Sequence, residues 1–173
     1  MFESLANFAS NVRYQSNTAP VDIYALKIDN SESDWDLELR RELDQLCSLE
    51  VGWDGYDSLA VAFQNAEKAF RFLTNFRKVL SQSSLLVQRL VPSAPFLVPV
   101  SGGALQAEWH IDGFRVEIFF DVPDSPVVAA YSEDAEFSDY SDEFEIPEFE
   151  NHTELKGLVQ TFRTIRRLVD ADA

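Results

Sequence analysis

Residues 104–120 read ALQAEWHIDGFRVEIFF, two runs of alternating apolar and polar residues on either side of an Asp112-Gly113 pair. Strict alternation over seven or eight residues is typical of a half-buried β-strand. Asp-Gly tolerates the positive φ angles that a two-residue hairpin turn needs. The pattern therefore predicts two antiparallel strands, at 104–111 and 114–120.

The predicted turn places Glu108 directly opposite Glu117 on the polar face, with Cβ atoms about 5 Å apart. Two opposed carboxylates destabilise a sheet unless their repulsion is offset. A divalent cation would offset it and, with the neighbouring His110, would form a carboxylate-rich site for metal-assisted hydrolysis. A shared proton that raises one of the two pKa values is a second solution. Neutralisation by Arg115 and His110 on a solvated face is the third.

The rest of the chain supplies further strands and helices around this hairpin. The predicted elements are a weak helix within 1–20, a strand at 21–28, a helix from a Ser31 or Ser33 cap to Gly52, a helix ending near Leu80, strands at 96–100 and 127–131, and a last helix capped near Asn151 or Thr153. These elements predict an α+β fold, an antiparallel meander of about four strands with helices packed on one face.

A single domain is expected over all 173 residues, because this length buries a sizeable core and 46% of the residues are hydrophobic. Its predicted parts are an N-terminal arm (1–30), helices plus sheet (31–131), an acidic segment (132–151) and a C-terminal helix (152–170). Cys47 is the one cysteine, so no internal disulfide forms, and its place beside Leu46 in a helix favours a buried, inert thiol. The chain shows neither a signal peptide nor a membrane-spanning segment, and we expect a cytoplasmic protein.

The charge of the chain is strongly negative, with 30 acidic against 14 basic residues and a net charge of −16. Direct binding to a nucleic acid is therefore disfavoured. The sequence also lacks a phosphate-binding glycine loop and a nucleophile elbow, and no cofactor is expected.

The acidic segment at 132–151 contains nine acids and no basic residue. Phe137, Tyr140 and Phe144 interleave with the acids at offsets of three and four, which predicts a helical stripe of rings on a negative ribbon. Acids that steer association and rings that are buried on contact suit a basic protein surface. Two alternatives stay open: the ribbon docks on the basic residues of the chain's own second and last helices, or it is a solvated linker.

These features favour a non-catalytic acidic protein, of bacterial or phage origin, that occupies the nucleic-acid-binding surface of a basic partner, as a phage anti-defence (anti-CRISPR-like) protein or an antitoxin would. The predicted partner-binding residues are Glu136, Phe137, Asp139, Tyr140, Asp142, Glu143, Phe144 and Glu145. One alternative is a small metal-assisted hydrolase that uses Glu108, Glu117 and His110. The other is a structural module that self-associates through Phe119 on the polar sheet face.

Three motifs carry a resemblance to other proteins: GWDGY at 52–56 before a helix, SGG at 101–103 before a strand, and EW at 108–109 within that strand. Together they resemble a group of small bacterial proteins of unassigned function, over roughly residues 47–131. In that group a proline-containing helix start follows the loop, whereas Leu-Ala-Val stands at 59–61 here. The resemblance implies a shared fold and no activity.

The GWDGY loop has two interpretations. Trp53 and Tyr56 either wall a pocket in which the Asp54 carboxylate is the polar anchor, or the loop is a chain reversal. In the second interpretation Gly52 and Gly55 permit the turn, Asp54 hydrogen-bonds it, and Trp53 fills the core beneath it.

Overall fold

The computed structural model describes residues 34–91, 94–134 and 139–171. Over these residues the chain has the predicted α+β fold, with four α-helices and one open antiparallel sheet. The helix predicted within 1–20 and the strand predicted at 21–28 lie outside the described residues.

The sheet is a five-stranded meander in which each strand pairs with the next along the chain. Its strands are β1 (Phe96–Pro99), β2 (Leu105–Ile111), β3 (Phe114–Phe120), β4 (Val127–Ser132) and β5 (Ser141–Glu145). The predicted hairpin register is confirmed, since Glu108 faces Glu117. Asp112 and Gly113 turn the chain with φ angles of 43° and 81°, the left-handed region that a two-residue hairpin requires.

The fifth strand is the main difference from the predicted fold. The spacing of the rings predicted a helical stripe, but Ser141–Glu145 pairs with β4, with Phe144 opposite Val128 and Glu143 opposite Ala129. The predicted helical stripe is therefore wrong for these residues. Pairing with a neighbouring strand stabilises the segment as a β-strand, and this long-range contact overrides the local helical spacing of its rings. The acidic segment therefore contributes a strand to the sheet.

Helices cover one face of the sheet and leave the other face open within the described residues. They are α1 (Asp34–Cys47), α2 (Phe63–Ser81), α3 (Leu85–Leu90) and α4 (His152–Ala171). The rings of Phe76 on α2 and Phe162 on α4 lie 5.6 Å apart between centroids, and both pack against Trp109 of β2. The core thus lies between the inner sheet face and these two helices. None of the described helices is long and apolar enough to cross a membrane.

The last helix begins where the sequence predicted. The side-chain Oδ1 of Asn151 accepts a hydrogen bond of 3.0 Å from the Thr153 N–H, which satisfies one of the free donors at the helix start. On α4, Leu155, Leu158 and Phe162 are fully buried. Their spacing places them on the one stripe that faces the sheet.

A buried asparagine joins α2 to two connections of the sheet. Asn65 is 3% exposed, and its Nδ2 donates a 2.8 Å hydrogen bond to the Gly103 carbonyl. Its Oδ1 accepts a 2.7 Å bond from the Val122 N–H. Gly103 has a φ of +87°, and a Cβ there would lie 3.1 Å from the Ala60 carbonyl oxygen. The last glycine of the SGG motif is thus needed for a close approach of two backbones.

Candidate functional site

From Asp139 to Glu145, the acidic segment lies along the edge of the sheet beside β4. Six of the eight residues predicted to bind a partner lie on β5 or just before it, while Glu136 and Phe137 fall outside the described residues. Four of the six are exposed carboxylates, which we call the acidic edge: Asp139, Asp142, Glu143 and Glu145. The acidic edge places four negative charges within seven residues of chain.

Two of the three rings predicted as anchors, Tyr140 and Phe144, pack inward. The Tyr140 ring stands edge-to-face against Phe114, with 5.6 Å between centroids. The Phe144 ring lies where a Cβ on Gly157 of α4 would be 3.6 Å from its Cε2 atom. Both side chains are half-buried against the core cluster. The expectation of exposed aromatic anchors is therefore wrong for Tyr140 and Phe144, while the predicted anchor Phe137 lies outside the described residues.

The Tyr140 hydroxyl is a buried polar atom with no hydrogen-bond partner among the described residues. Burial raises the pKa of this tyrosine above its ordinary value, and the nearby negative charge of Asp142 raises it further. A neutral, buried hydroxyl is what a ring inserted into a core produces. The ring thus stabilises β5 through apolar contact and not through its polar end.

Among the described residues, the acidic edge does not pair with an arginine side chain. Two other acids of the 132–151 segment do form such pairs, Glu133 with Arg115 and Glu150 with Arg71. In contrast, the carboxylates of Asp139, Glu143 and Glu145 have neither an ion pair nor a hydrogen bond to the described residues. The internal-docking alternative thus holds for Glu150, whose partner lies on α2, whereas the Arg115 partner of Glu133 lies on β3. Within the described residues it does not hold for the acidic edge.

The members of the acidic edge point to different sides of the strand. Glu143 lies opposite Ala129, and Glu145 lies opposite Val127, on the open face of the sheet. Side chains two residues apart on one strand face are separated by about 7 Å. Asp142 points toward the helices, where its Oδ2 accepts a 3.3 Å hydrogen bond from the Thr161 hydroxyl. Negative charge therefore lies both on the open face of the sheet and on the side of β5 that faces the helices.

Each of the opposed glutamates of the hairpin has a polar neighbour two residues away on its own strand. His110 Nε2 lies 3.1 Å from a carboxylate oxygen of Glu108, and Arg115 donates a 3.4 Å hydrogen bond to Glu117. The Tyr131 hydroxyl donates a further 2.8 Å bond to the same Glu117 oxygen. No group of three or more His, Cys, Asp or Glu side chains arranged to hold a metal ion occurs within 34–91, 94–134 and 139–171. The contact of Glu117 with Arg115 thus supports the neutralisation alternative for that carboxylate.

Tyr131 is the member of this cluster that the sequence argument did not include. Burial raises its pKa, and the hydrogen bond to Glu117 raises it further. The sequence did place Tyr131 in a predicted strand, at 127–131. Only the β3–β4 register, which pairs Tyr131 with Arg115, brings it beside Glu117.

Phe119, predicted as a self-association residue, lies half-buried on the open sheet face. It pairs with Gln106 on one side and Val127 on the other. Self-association through this ring stays a prediction.

The GWDGY loop is held together by its aspartate. The Asp54 carboxylate accepts hydrogen bonds from the Tyr56 N–H (3.0 Å) and the Ser58 hydroxyl (2.7 Å). These bonds hold its pKa below the ordinary value, the Ser58 bond most of all. Trp53 does not fill the core: it is 37% exposed and donates from Nε1 across the loop to the Leu59 carbonyl. The structural role of Asp54 is confirmed, and that of Trp53 is corrected.

A cavity of about 740 Å³ lies between α2 and residues 147–151. Its two cations are engaged within the protein, since Arg71 pairs with Glu150 and Lys68 donates to the Asp124 carbonyl. Its lining residues include no histidine, cysteine, serine or threonine. The cavity therefore holds no serine, threonine or cysteine nucleophile and no histidine base. Burial also raises the pKa of the Cys47 thiol to about 11, which opposes formation of a reactive thiolate.

Comparison with known proteins identifies no relative of this chain. No protein-family model, no curated protein and no solved structure matches it. The resemblance to small bacterial proteins through the GWDGY, SGG and EW motifs therefore stays a prediction.

Proposed function

We propose that this protein is a non-catalytic binding protein whose acidic edge occupies a basic surface of a partner protein, in particular a surface that otherwise holds a nucleic acid. Such binding blocks the partner, which is the action expected of an inhibitor such as a phage anti-defence protein or an antitoxin.

The observation that carries the proposal is the separation of roles along β5. Main-chain pairing with β4 and the packing of Tyr140 and Phe144 hold the strand in place. The carboxylates of the acidic edge are left exposed, and three of them have no partner among the described residues. A fixed row of unneutralised carboxylates costs little further ordering when a partner binds.

Electrostatics give this arrangement its selectivity. Opposite charge on a partner speeds the diffusional encounter, by roughly 10- to 1,000-fold at low ionic strength. The negative charge of the acidic edge repels nucleic acids and other acidic proteins, which are also negative. Surfaces that bind phosphate backbones are rich in lysine and arginine, so their charge is opposite in sign to that of the acidic edge.

The test uses protamine, an arginine-rich polypeptide that binds DNA, and a fluorescent DNA duplex that reports its release. Two variants with equal changes of net charge are compared with the wild type. The edge variant carries Asp139→Asn, Asp142→Asn, Glu143→Gln and Glu145→Gln. The control variant carries Glu38→Gln, Glu50→Gln, Asp57→Asn and Asp121→Asn, all at exposed positions outside β5.

We expect the wild type and the control variant to release the duplex from protamine at similar concentrations. The edge variant should need about tenfold more protein at low salt, because its local field is lost. If the edge and control variants are equally weakened, only total charge matters and the acidic edge is not the binding site.

A further inference from the structure

The two edges of the sheet differ in their free hydrogen-bonding groups. The Val100 N–H donates a 3.0 Å bond to the Ala104 carbonyl, which fixes which residues of β1 bond to β2. By alternation, Leu97 and Pro99 direct their main-chain groups away from β2. The Leu97 N–H donates a hydrogen bond to the Glu42 carboxylate of α1. Pro99 has no N–H to donate. The β1 edge therefore has no free donor at these two positions.

The outer edge of β5 has no main-chain partner among the described residues. The Ile146 N–H donates 2.9 Å to the Pro126 carbonyl, and the Ser132 N–H donates 3.3 Å to the Tyr140 carbonyl. Pairs at this alternation bond β5 to β4, so Phe144 and Asp142 direct their main-chain groups toward β4.

The residues between them direct their N–H and C=O groups outward. They are Ser141, Glu143 and Glu145, all exposed and without a main-chain partner on that side among the described residues. The open edge thus coincides with the acidic edge.

We propose that β5 binds its partner by strand addition: an extended segment with lysine or arginine at alternate positions pairs with the open main-chain groups of β5. The inference rests on the proposed function and names the form that the basic partner takes there. Strand addition is a common way for a sheet edge to bind a peptide, with main-chain bonds giving affinity and alternate side chains giving specificity.

The geometry selects the charge of the incoming strand. Glu143 and Glu145 have both their main-chain groups at the open edge and their side chains on the open face. An antiparallel strand would place two residues, two positions apart, opposite them at Cα distances of about 5.5 Å. Lysine or arginine there forms favourable cross-strand pairs with the two glutamates.

The same charges disfavour a second copy of this chain as the occupant. Antiparallel pairing of two β5 strands would bring the acidic edge of one copy against that of the other. Charged residues on an edge strand are a common protection against self-pairing. A basic strand is the one occupant for which these carboxylates are favourable rather than repulsive.

The test separates main-chain pairing from charge. Ser141→Pro removes an outward N–H and leaves every carboxylate and every bond to β4 in place. Ser141→Ala is its matched control. The probe is a seven-residue peptide of alternating lysine and threonine, with a twin that is N-methylated at each lysine. Binding is measured by calorimetry, and folding of each variant is checked by circular dichroism.

We expect Ser141→Ala to bind the probe as the wild type does, and Ser141→Pro to bind about tenfold more weakly. The N-methylated twin should bind the wild type weakly as well, a result that does not depend on how well the proline variant folds. Strand addition is overturned if Ser141→Pro and the N-methylated twin bind normally.

The outcome distinguishes this inference from the proposed function. Binding that survives Ser141→Pro and N-methylation but is lost in the edge variant leaves the acidic edge as a binding site and removes strand addition. If binding survives in Ser141→Pro, with the N-methylated twin and in the edge variant, both the acidic edge and strand addition are ruled out. A dimer in sedimentation that Ser141→Pro abolishes would make a second copy the occupant and would also overturn the inference.

Discussion

Tyr140→Phe tests whether this ring is part of the core or a contact for a partner. The hydroxyl is buried without a partner among the described residues, and a buried hydroxyl that lacks a hydrogen bond costs about 1–3 kcal/mol. Removing it while the ring stays should raise the free energy of unfolding by about 1 kcal/mol. For a chain of this length the melting temperature then rises by about 2–4 °C.

Tyr140→Ala gives the opposite sign. It removes the edge-to-face contact with Phe114 together with the half-buried ring, at a cost of about 2–3 kcal/mol. Urea denaturation followed by circular dichroism measures both changes. The reasoning is refuted if Tyr140→Phe lowers the stability by 1 kcal/mol or more, because the hydroxyl must then have a partner in the folded protein.

The same variant has a signature at high pH. Burial raises the pKa of Tyr140 above 10.0 in the folded state, so above that pH the unfolded chain releases this proton first. The wild type therefore loses stability as the pH rises from 10.0 through the folded pKa. Tyr140→Phe lacks this proton and should lose less stability over the same range. Parallel curves for the two proteins would contradict the buried position of the hydroxyl.

Three further outcomes are expected. Asn65→Ala removes two hydrogen bonds between α2 and the sheet connections and should destabilise the protein by about 2–3 kcal/mol in urea denaturation; a change below 0.5 kcal/mol would contradict it. Gly157→Ala should stabilise the protein by about 1 kcal/mol, because alanine favours a helix interior and its Cβ meets the Phe144 ring at an ordinary 3.6 Å; a lower melting temperature would show that the ring cannot accept it. Bonds from Ser58 and Tyr56 lower the pKa of Asp54, so their stabilisation of the loop is present above pH 3.8 and lost as the pH falls through the folded pKa. The Tyr56 amide resonance should hold its position at pH 3.8 and shift only below it, and a shift centred above pH 3.8 would be the contrary result.

The central hairpin was predictable because its information is local. The Asp112-Gly113 turn and the alternation on both sides of it fix the register without reference to the rest of the chain. The opposition of Glu108 and Glu117 follows from that register. Their contacts with His110 and Arg115 respectively are between residues two apart on the same strand, which alternation places on one face.

The candidate site was predictable only in its charge. The positions of the acids along the chain are given by the sequence, but whether their carboxylates are exposed depends on which way the strand faces. Tyr140 and Phe144 point inward because β5 pairs with β4, a long-range contact that local spacing does not encode. The open main-chain groups of Ser141 and Glu143 likewise follow from pairing alone.

The role of the acidic edge in binding is tested most directly by the affinity for protamine. It is measured for the wild type and the edge variant as salt is raised from about 50 mM to about 200 mM. At the lower salt, we expect the wild type to bind protamine about tenfold more tightly than the edge variant does. The affinities of the two proteins should converge as the salt concentration rises. Superimposable curves at the lower salt, with the control variant also unchanged, would contradict it.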